Sequence, residues 1–514
     1  MPNNALKLLL LLTLIYLWDM LFWQQGPGIN LLLFIILVSG AIIMLRPSAF
    51  RDRTTIVFGV MSLIASAMVV AHNSGLSIII LFLLLIGYIG YSLVPEIRSL
   101  WFAGLTTVLN YIKLPFKAYA YLSQKVLGEK KAVAFIRVTR LAIIPVLVTL
   151  VFYFIYKGAN PRFDTLTADF FGTFNEFLIQ LFDNIFTARG IFILFGIVLI
   201  AGALFRANPI EALHMESKHK DVLTDAPTKD PNNKVQHNLV NEYRAGIIML
   251  VMVNAILLIV NIIDIDWIWF GFEVPVDFSL KSFVHKGTWL LILSIMLSMV
   301  ILFYLFRSGQ NFFKPNGWLS KLAYLWIAQN LVLGFSVFLR NYHYISFHGL
   351  AYKRIGMIVF LVLVLVGLAT MFIKIRQKRT LFYLVRINSW AAAGLFCIMT
   401  MVNWDTFIVS YNLNHSNPAE IDVDNYLHLS SKVLPIIYTD LEKVERQMSK
   451  HMENKVRWIQ YSDPAEFREQ LDHRKERFLE EYKESEWPSW NLADQRTYNA
   501  LLAMELVPEE LIKR

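Results

Sequence analysis

The chain has 514 residues, 56% of them hydrophobic and only 17% charged, with a formal net charge of +9 and a mean hydropathy of +0.49. A soluble globular chain carries roughly 25% charged residues, so a chain this apolar has no water-soluble way to bury its Leu, Ile, Val and Phe. Disordered, collagen-like and disulfide-built proteins are excluded by the same composition. What remains is an all-α polytopic membrane bundle.

A membrane-spanning helix needs about 20 mostly apolar residues. Runs of that kind fall at 6–23, 29–45, 54–71, 75–94, 139–157, 189–206, 244–263, 286–306, 319–339, 354–374 and 384–403. The expectation is about eleven spans. The first holds Asp19 and is read as an uncleaved span rather than a signal peptide, because no small-x-small site follows it. The ninth holds Gln329 and Asn330. Such intramembrane amides, with Asn254, Asn261 and Asn388, are expected to join helices by hydrogen bonds. The single cysteine, Cys397, allows no disulfide within the chain and reads as a small packing residue in an apolar run.

Three connections are too long for turns. Residues 97–125 mix Leu, Trp, Phe and Tyr with Arg98, Lys113, Lys117 and Lys125. They read equally as a basic amphipathic helix on the membrane surface or as a helix packed beneath the bundle. Residues 166–187 carry a Phe/Leu stripe at helical spacing, opposite acidic residues. The polar stretch 207–243, with Pro209, Pro227 and Pro231, reads as a linker, and its His214, His219 and His237 match no metal spacing.

Lys and Arg accumulate in the 46–53, 95–138 and 374–386 connections, whereas 158–188 and 264–285 are acidic. By the positive-inside bias the N-terminus is cytoplasmic, and an odd number of spans places residues 404–514 on the far side. That tail holds 21 acidic and 14 basic residues, a net of −7, against +16 for residues 1–403. The expected partition is a membrane bundle over 1–206 (about six spans), a cytoplasmic linker over 207–243, a second bundle over 244–403 (about five spans) and a soluble, acidic, extracytoplasmic helical domain over 404–514. In this last part the spacing predicts one helix over 425–452, kinked near Pro435, then Pro464–Tyr482 and about 493–506. It holds no nucleophile elbow, paired-cysteine motif or Gly-rich phosphate loop.

The chemistry-bearing anomaly is 340–354, with Arg340, His343, Tyr344, His348, Lys353 and Arg354 at the mouths of the ninth and tenth spans, on the side where basic residues are scarce. Cations held there need a counter-charge: an internal carboxylate (Asp405, Asp264 or Asp266), a lipid phosphate or a substrate anion. An Arg–Asp pair would act as a staple. Alternatively, Arg340, Lys353 and Arg354 would clamp an anion, with Asp405 or His343 handling protons. His343 and His348 are five apart and do not share a helix face, so no metal site is expected.

Tyr344…Phe347-His348-Gly349-Leu350-Ala351-Tyr352-Lys353-Arg354 resembles a Tyr…Phe-Gly-Leu-Thr-x-x-Arg signature of a widespread bacterial family of polytopic inner-membrane proteins, described as a domain of unknown function. Asn403-Trp404-Asp405 with Tyr411-Asn412-Leu413, and Asn425-Tyr426-Leu427 with Leu429-Ser430 and Pro435, are similar to elements that follow it. This chain has His348 before the glycine and Ala351 where Thr is usual. The resemblance implies the topology and the site's location, not a reaction. The reading is a non-enzymatic inner-membrane scaffold, sensor or accessory subunit without cofactor, metal or nucleic acid. Its partners are the bilayer and a protein met by the C-terminal domain. The alternative is a transporter or membrane-embedded enzyme handling an anionic or lipid-linked substrate.

Overall fold

The computed structural model describes residues 4–127, 187–207, 210–223, 234–270, 287–307, 310–313, 316–414, 421, 423–454 and 463–506, with single positions 149, 152, 162, 163 and 167. The expected span at 139–157, the helix at 166–187 and the middle of the polar connection lie outside the described residues.

Among the described residues the regular structure is helical, and the one β-type pairing is an isolated bridge between Val222 and Arg379. Lipid offers backbone groups no hydrogen-bond partners, so apolar sequence of this kind satisfies them within helices. We label the helices α1 (Asn4–Phe22), α2 (Ile29–Leu45), α3 (Arg53–His72), α4 (Gly75–Leu93), α5 (Leu100–Leu127), α6 (Ala188–Leu204) and α7 (Ile210–Ser217). Next come α8 (Lys234–Asp264), α9 (Thr288–Leu305), α10 (Gly317–His348), α11 (Tyr352–Gln377), α12 (Leu381–Met399) and α13 (Trp404–Leu413). The last four are α14 (Leu434–Thr439), α15 (Leu441–Asn454), α16 (Pro464–Glu484) and α17 (Leu492–Leu506). Among the described residues, eight helices are long and apolar enough to cross a membrane: α1, α3, α4, α8, α9, α10, α11 and α12. Helices α2 and α6 are apolar but shorter, at 17 residues each.

Two compact units divide the chain: residues 1–63, 85–97 and 102–214, and residues 64–84, 98–101 and 215–514. In the first, α1 packs with α6 through Trp18. Its ring stacks on Phe192 at 5.1 Å, and Gly196 leaves the space it occupies. Asp19 is paired with Arg189 at 2.6 Å. Helix α5 turns small and polar residues inward (Ala103, Thr106, Thr107, Asn110) and Val108, Ile112 and Phe116 outward. Thr107 Oγ1 donates to Ile86 O of α4 at 2.7 Å. This helix is packed on the bundle with its apolar side outermost, the arrangement a lipid surround favours over water.

In the second unit, α8 and α10 are the long members, at 31 and 32 residues. At 1.5 Å per residue α10 runs about 48 Å, longer than a hydrocarbon core of about 30 Å. Part of the expected 207–243 linker is helical. Helix α7 forms within it, and α8 begins at Lys234. Buried Glu216 accepts the backbone N–H groups of Arg98 (2.9 Å) and Ser99 (2.7 Å), and Asp221 pairs with Arg386 at 2.9 Å.

The C-terminal part departs from the single expected helix over 425–452. Residues Asp424–His428 and Ser431–Val433 are 3-10 turns, and α14 and α15 are separate helices broken at Asp440. Pro435 stands in the first turn of α14, where its missing N–H has no intrahelical acceptor anyway. It therefore starts a helix rather than kinking one. One apolar core joins Ile408, Val409, Tyr426, Val433, Ile437, Val444, Phe467, Leu471 and Leu501 to Ile345, Leu350 and Ile355 at the tips of α10 and α11.

Candidate functional site

Polar residues recur every seven positions along α8 and α10, and they hold the two helices parallel in register. Asn254 Nδ2 donates to Leu322 O (3.2 Å), and Gln329 Nε2 donates to Asn254 Oδ1 (2.8 Å). Asn261 Nδ2 donates to Gln329 O at 3.1 Å. After Asp264 the chain continues as a π-helical turn, Ile265–Phe270. From this turn Trp269 Nε1 reaches Ser336 Oγ at 3.0 Å, and Ile268 O accepts His343 Nε2 at 3.1 Å. A carbonyl only accepts, so His343 carries its proton on Nε2 here.

Arg340 lies in the same seam, 7% exposed, and its Nη2 meets Asp264 Oδ1 at 2.5 Å. Asp264 is 3% exposed, and its Oδ2 receives no hydrogen bond. Of the three acids named from sequence as possible partners for Arg340, Asp264 is the one that takes it.

The α10–α11 turn is built around Gly349, whose φ of +75° suits glycine. A Cβ there would stand 2.6 Å from Asn412 Oδ1. That close approach is used: Asn412 Oδ1 accepts Leu350 N (2.6 Å), and its Nδ2 donates to Leu350 O (3.0 Å). Asn412, on α13, thereby reads the turn's backbone as a strand neighbour would. Arg354 folds back over the same turn. Its Nη1 donates to His348 O at 2.7 Å and to Gly349 O, and its guanidinium covers the Tyr344 ring at 4.7 Å. Tyr344 in turn stacks on His348 at 4.4 Å. Asn341 Nδ2 reaches Arg354 O at 3.2 Å. Lys353 is exposed and joins none of these bonds.

Asp405, 9% exposed, accepts the Tyr352 hydroxyl at 2.5 Å and Ser430 N at 3.1 Å. Arg474 of α16 donates to Tyr426 O (3.2 Å) and Leu429 O (2.5 Å) just beside it. Burial lowers the Arg474 pKa, Arg477 adds to that, and the charge of Asp405 opposes it.

The residues singled out from sequence thus fall into three places: Arg340 and His343 in the α8–α10 seam; Tyr344, His348 and Arg354 at the Gly349 turn; and Asp405 beneath Tyr352 and Ser430. Arg340, Lys353 and Arg354 do not converge on one point. Sequence reasoning passed over Tyr352, Asn412, Ser430 and Arg474 as members of the site. Tyr352, Asn412 and Ser430 stand inside the motifs already quoted, which was the available signal. It also missed Lys374, 1% exposed, whose Nζ donates to Phe306 O at 2.7 Å. Among the described residues no group of three or more His, Cys, Asp or Glu is placed to hold a metal ion.

Among the described residues the regular structure is helical, and its eight crossing-length apolar helices, with polar seams between them, define a multi-pass helical membrane protein. Residues 33–439 match the family described as a domain of unknown function, DUF4153, and the chain belongs to that family. Comparisons with curated proteins and with solved structures gave no match.

Proposed function

We propose that this protein is a non-enzymatic scaffold or accessory subunit of a bacterial inner membrane, with about eleven spans and a cytoplasmic N-terminus. Its C-terminal helices, beyond the membrane, present a docking surface to a protein partner. The observation that carries the reading is that, Lys353 aside, the site's charges are committed to the chain itself. Arg340 holds Asp264, Arg354 covers the turn carbonyls, and Asp405 holds Tyr352 and Ser430 N. A clamp for a substrate anion needs its cations convergent and open, and this arrangement weighs against one. The bonds instead fasten the C-terminal helices to the tips of α10 and α11, which is what a rigid platform needs.

The test is photocrosslinking in native membranes from positions Glu469 and Glu480 on the exposed side of α16, followed by mass spectrometry. A discrete protein adduct from these positions, absent from an equivalent position on lipid-facing α9, is the expected result. Adducts that match the membrane proteome at random, together with a monomeric purified chain, would remove the scaffold reading.

A further inference from the structure

Arg46 directly follows α2, at the head of the Pro47–Arg51 3-10 turn. Its Nη2 donates to Ala203 O at 2.6 Å, which caps the negative end of α6. Asn110 caps the neighbouring carbonyls, Gly202 O (2.8 Å) and Phe205 O (2.9 Å), and its Oδ1 accepts Ala207 N at 2.7 Å. The helix end is therefore well supplied with donors, and Arg46 has donors left over. Its Nε and Nη1 are buried and have no acceptor.

Two side chains act on Arg46: the Tyr88 hydroxyl, which favours its charge, and Arg206, which is near enough to repel it. That hydroxyl, beside Ser39, closes no hydrogen bond of normal geometry. No carboxylate is among these groups. Among the described residues, exposed Glu96 follows α4 and is not among the groups that act on Arg46, and two other nearby acids are engaged elsewhere. Asp52 caps the first turn of α3 through Thr54 N (3.0 Å) and Thr55 N (3.1 Å), and Glu211 pairs with Lys113 at 2.5 Å. Desolvation lowers Arg46 to about 10, Tyr88 opposing and Arg206 adding to it, which still leaves it charged at neutral pH. A largely desolvated guanidinium with open donors is stabilised when an anion meets it.

The Nε–Nη edge of a guanidinium fits two oxygens of a tetrahedral anion, and two arginines with a phenol fit three. The length of the helices says where that anion would come from. At 17 residues each, α2 and α6 span only about 26 Å, a little less than a hydrocarbon core of about 30 Å. In a bilayer their ends would then lie near the edge of that core, where long arginine side chains reach outward to lipid headgroups. Arg206 is exposed and Arg46 is itself only partly buried, so the pair lies within reach of a ligand from outside.

We propose that Arg46, Arg206 and Tyr88 form a binding site for a phosphate group where α2 and α6 end, occupied by the headgroup of a phospholipid. The test is thermal melting of the full purified chain in detergent with added phosphatidylglycerol, phosphate-free diacylglycerol, or inorganic phosphate at constant ionic strength. Phosphatidylglycerol should raise the melting midpoint saturably, by linkage, and diacylglycerol should not. Arg206→Gln should weaken the lipid's half-saturation about tenfold, the value of one charge-assisted contact. Arg46→Lys, which keeps the charge and loses the forked edge, should weaken it as well. Arg51→Gln removes an exposed charge from the same turn and should leave the response as in the parent. A saturable response to inorganic phosphate that Arg206→Gln weakens would keep the phosphate site but assign it to a soluble ligand. The proposal is overturned if neither phosphate source shifts the midpoint. It is equally overturned if the parent, Arg206→Gln and Arg51→Gln respond alike, since that is unspecific attraction.

Discussion

Arg340 and Asp264 pose the energetic question most directly, because both are buried and the pair is incomplete: Asp264 Oδ2 accepts nothing. Removing one member strands the other charge, at about 3–5 kcal/mol, whereas replacing both by apolar residues of similar size is often neutral or stabilising. Asp264→Leu should therefore lower the melting midpoint of the purified protein sharply, and Arg340→Met/Asp264→Leu should recover most of the loss. A double variant as unstable as the single one would mean that the pair contributes more than mutual neutralisation. Arg354 differs in kind, since its partners are carbonyls. Arg354→Ala leaves no charge behind but strips the donors from His348 O and Gly349 O. The expected loss is about 2 kcal/mol, read as a lower midpoint that Arg354→Lys only partly restores. Much of this was legible at the level of single residues. The crowding of cations at 340–354, and their need for counter-charge, follows from membrane electrostatics alone. Which acid answers which base does not. Asp264 was one of three acids in range, and Asp405 is drawn away by a tyrosine hydroxyl and one backbone N–H, groups too common in any sequence to be picked out.

Helices were readable wherever a long apolar run made the solvent obvious, and less so where packing decides. The runs over α3, α4, α9, α11 and α12 show directly, since lipid allows such sequence little else. The pairing of α8 with α10 also has a written trace, because Asn254 and Asn261, and Gln329, Ser336 and His343, each recur at intervals of seven, the period of two helices wound side by side. The C-terminal breaks were hidden, because the Leu and Val spacing of 425–452 suits a helix, and only the packed core converts Asp424–His428 and Ser431–Val433 into tighter turns. Between those C-terminal elements, the Tyr438 hydroxyl of α14 donates to Asp472 of α16 at 2.6 Å. Burial first, then that hydrogen bond and the charge of Asp472, raise the Tyr438 pKa above its ordinary 10.0. A raised acid contributes stability fully present below its unfolded value and lost as pH climbs through the folded one. The C-terminal helices should therefore loosen as pH rises above about 10, seen as faster amide exchange in α14 and α16. In Tyr438→Phe that alkaline step should shrink; an identical step in both proteins would place its origin elsewhere.

At the scale of the molecule, the C-terminal helices do not stand apart as a separate globule, because their core is completed by Ile345, Leu350 and Ile355 from the tips of α10 and α11. Each such side chain contributes about 2 kcal/mol when fully buried, so three withdraw about 6 kcal/mol, comparable with the 5–15 kcal/mol net stability of an ordinary domain. Loss of the partners removes more than packing. Asn412 would lose the Leu350 backbone, and Asp405 would keep Ser430 N but lose the Tyr352 hydroxyl, leaving part of a buried carboxylate unanswered. Acidic composition and helical spacing give no warning of this, since both look the same in a domain that folds alone and in a cap that folds only on its support. A fragment of residues 404–514 made by itself should accordingly be helical by far-UV circular dichroism yet melt without a cooperative transition. A longer fragment starting at Gly317, which restores the tips together with their spans, should regain a sharp transition in detergent. A cooperative melt in the short fragment would show that the shared residues are dispensable and that the C-terminal helices are an autonomous domain tethered to the bundle.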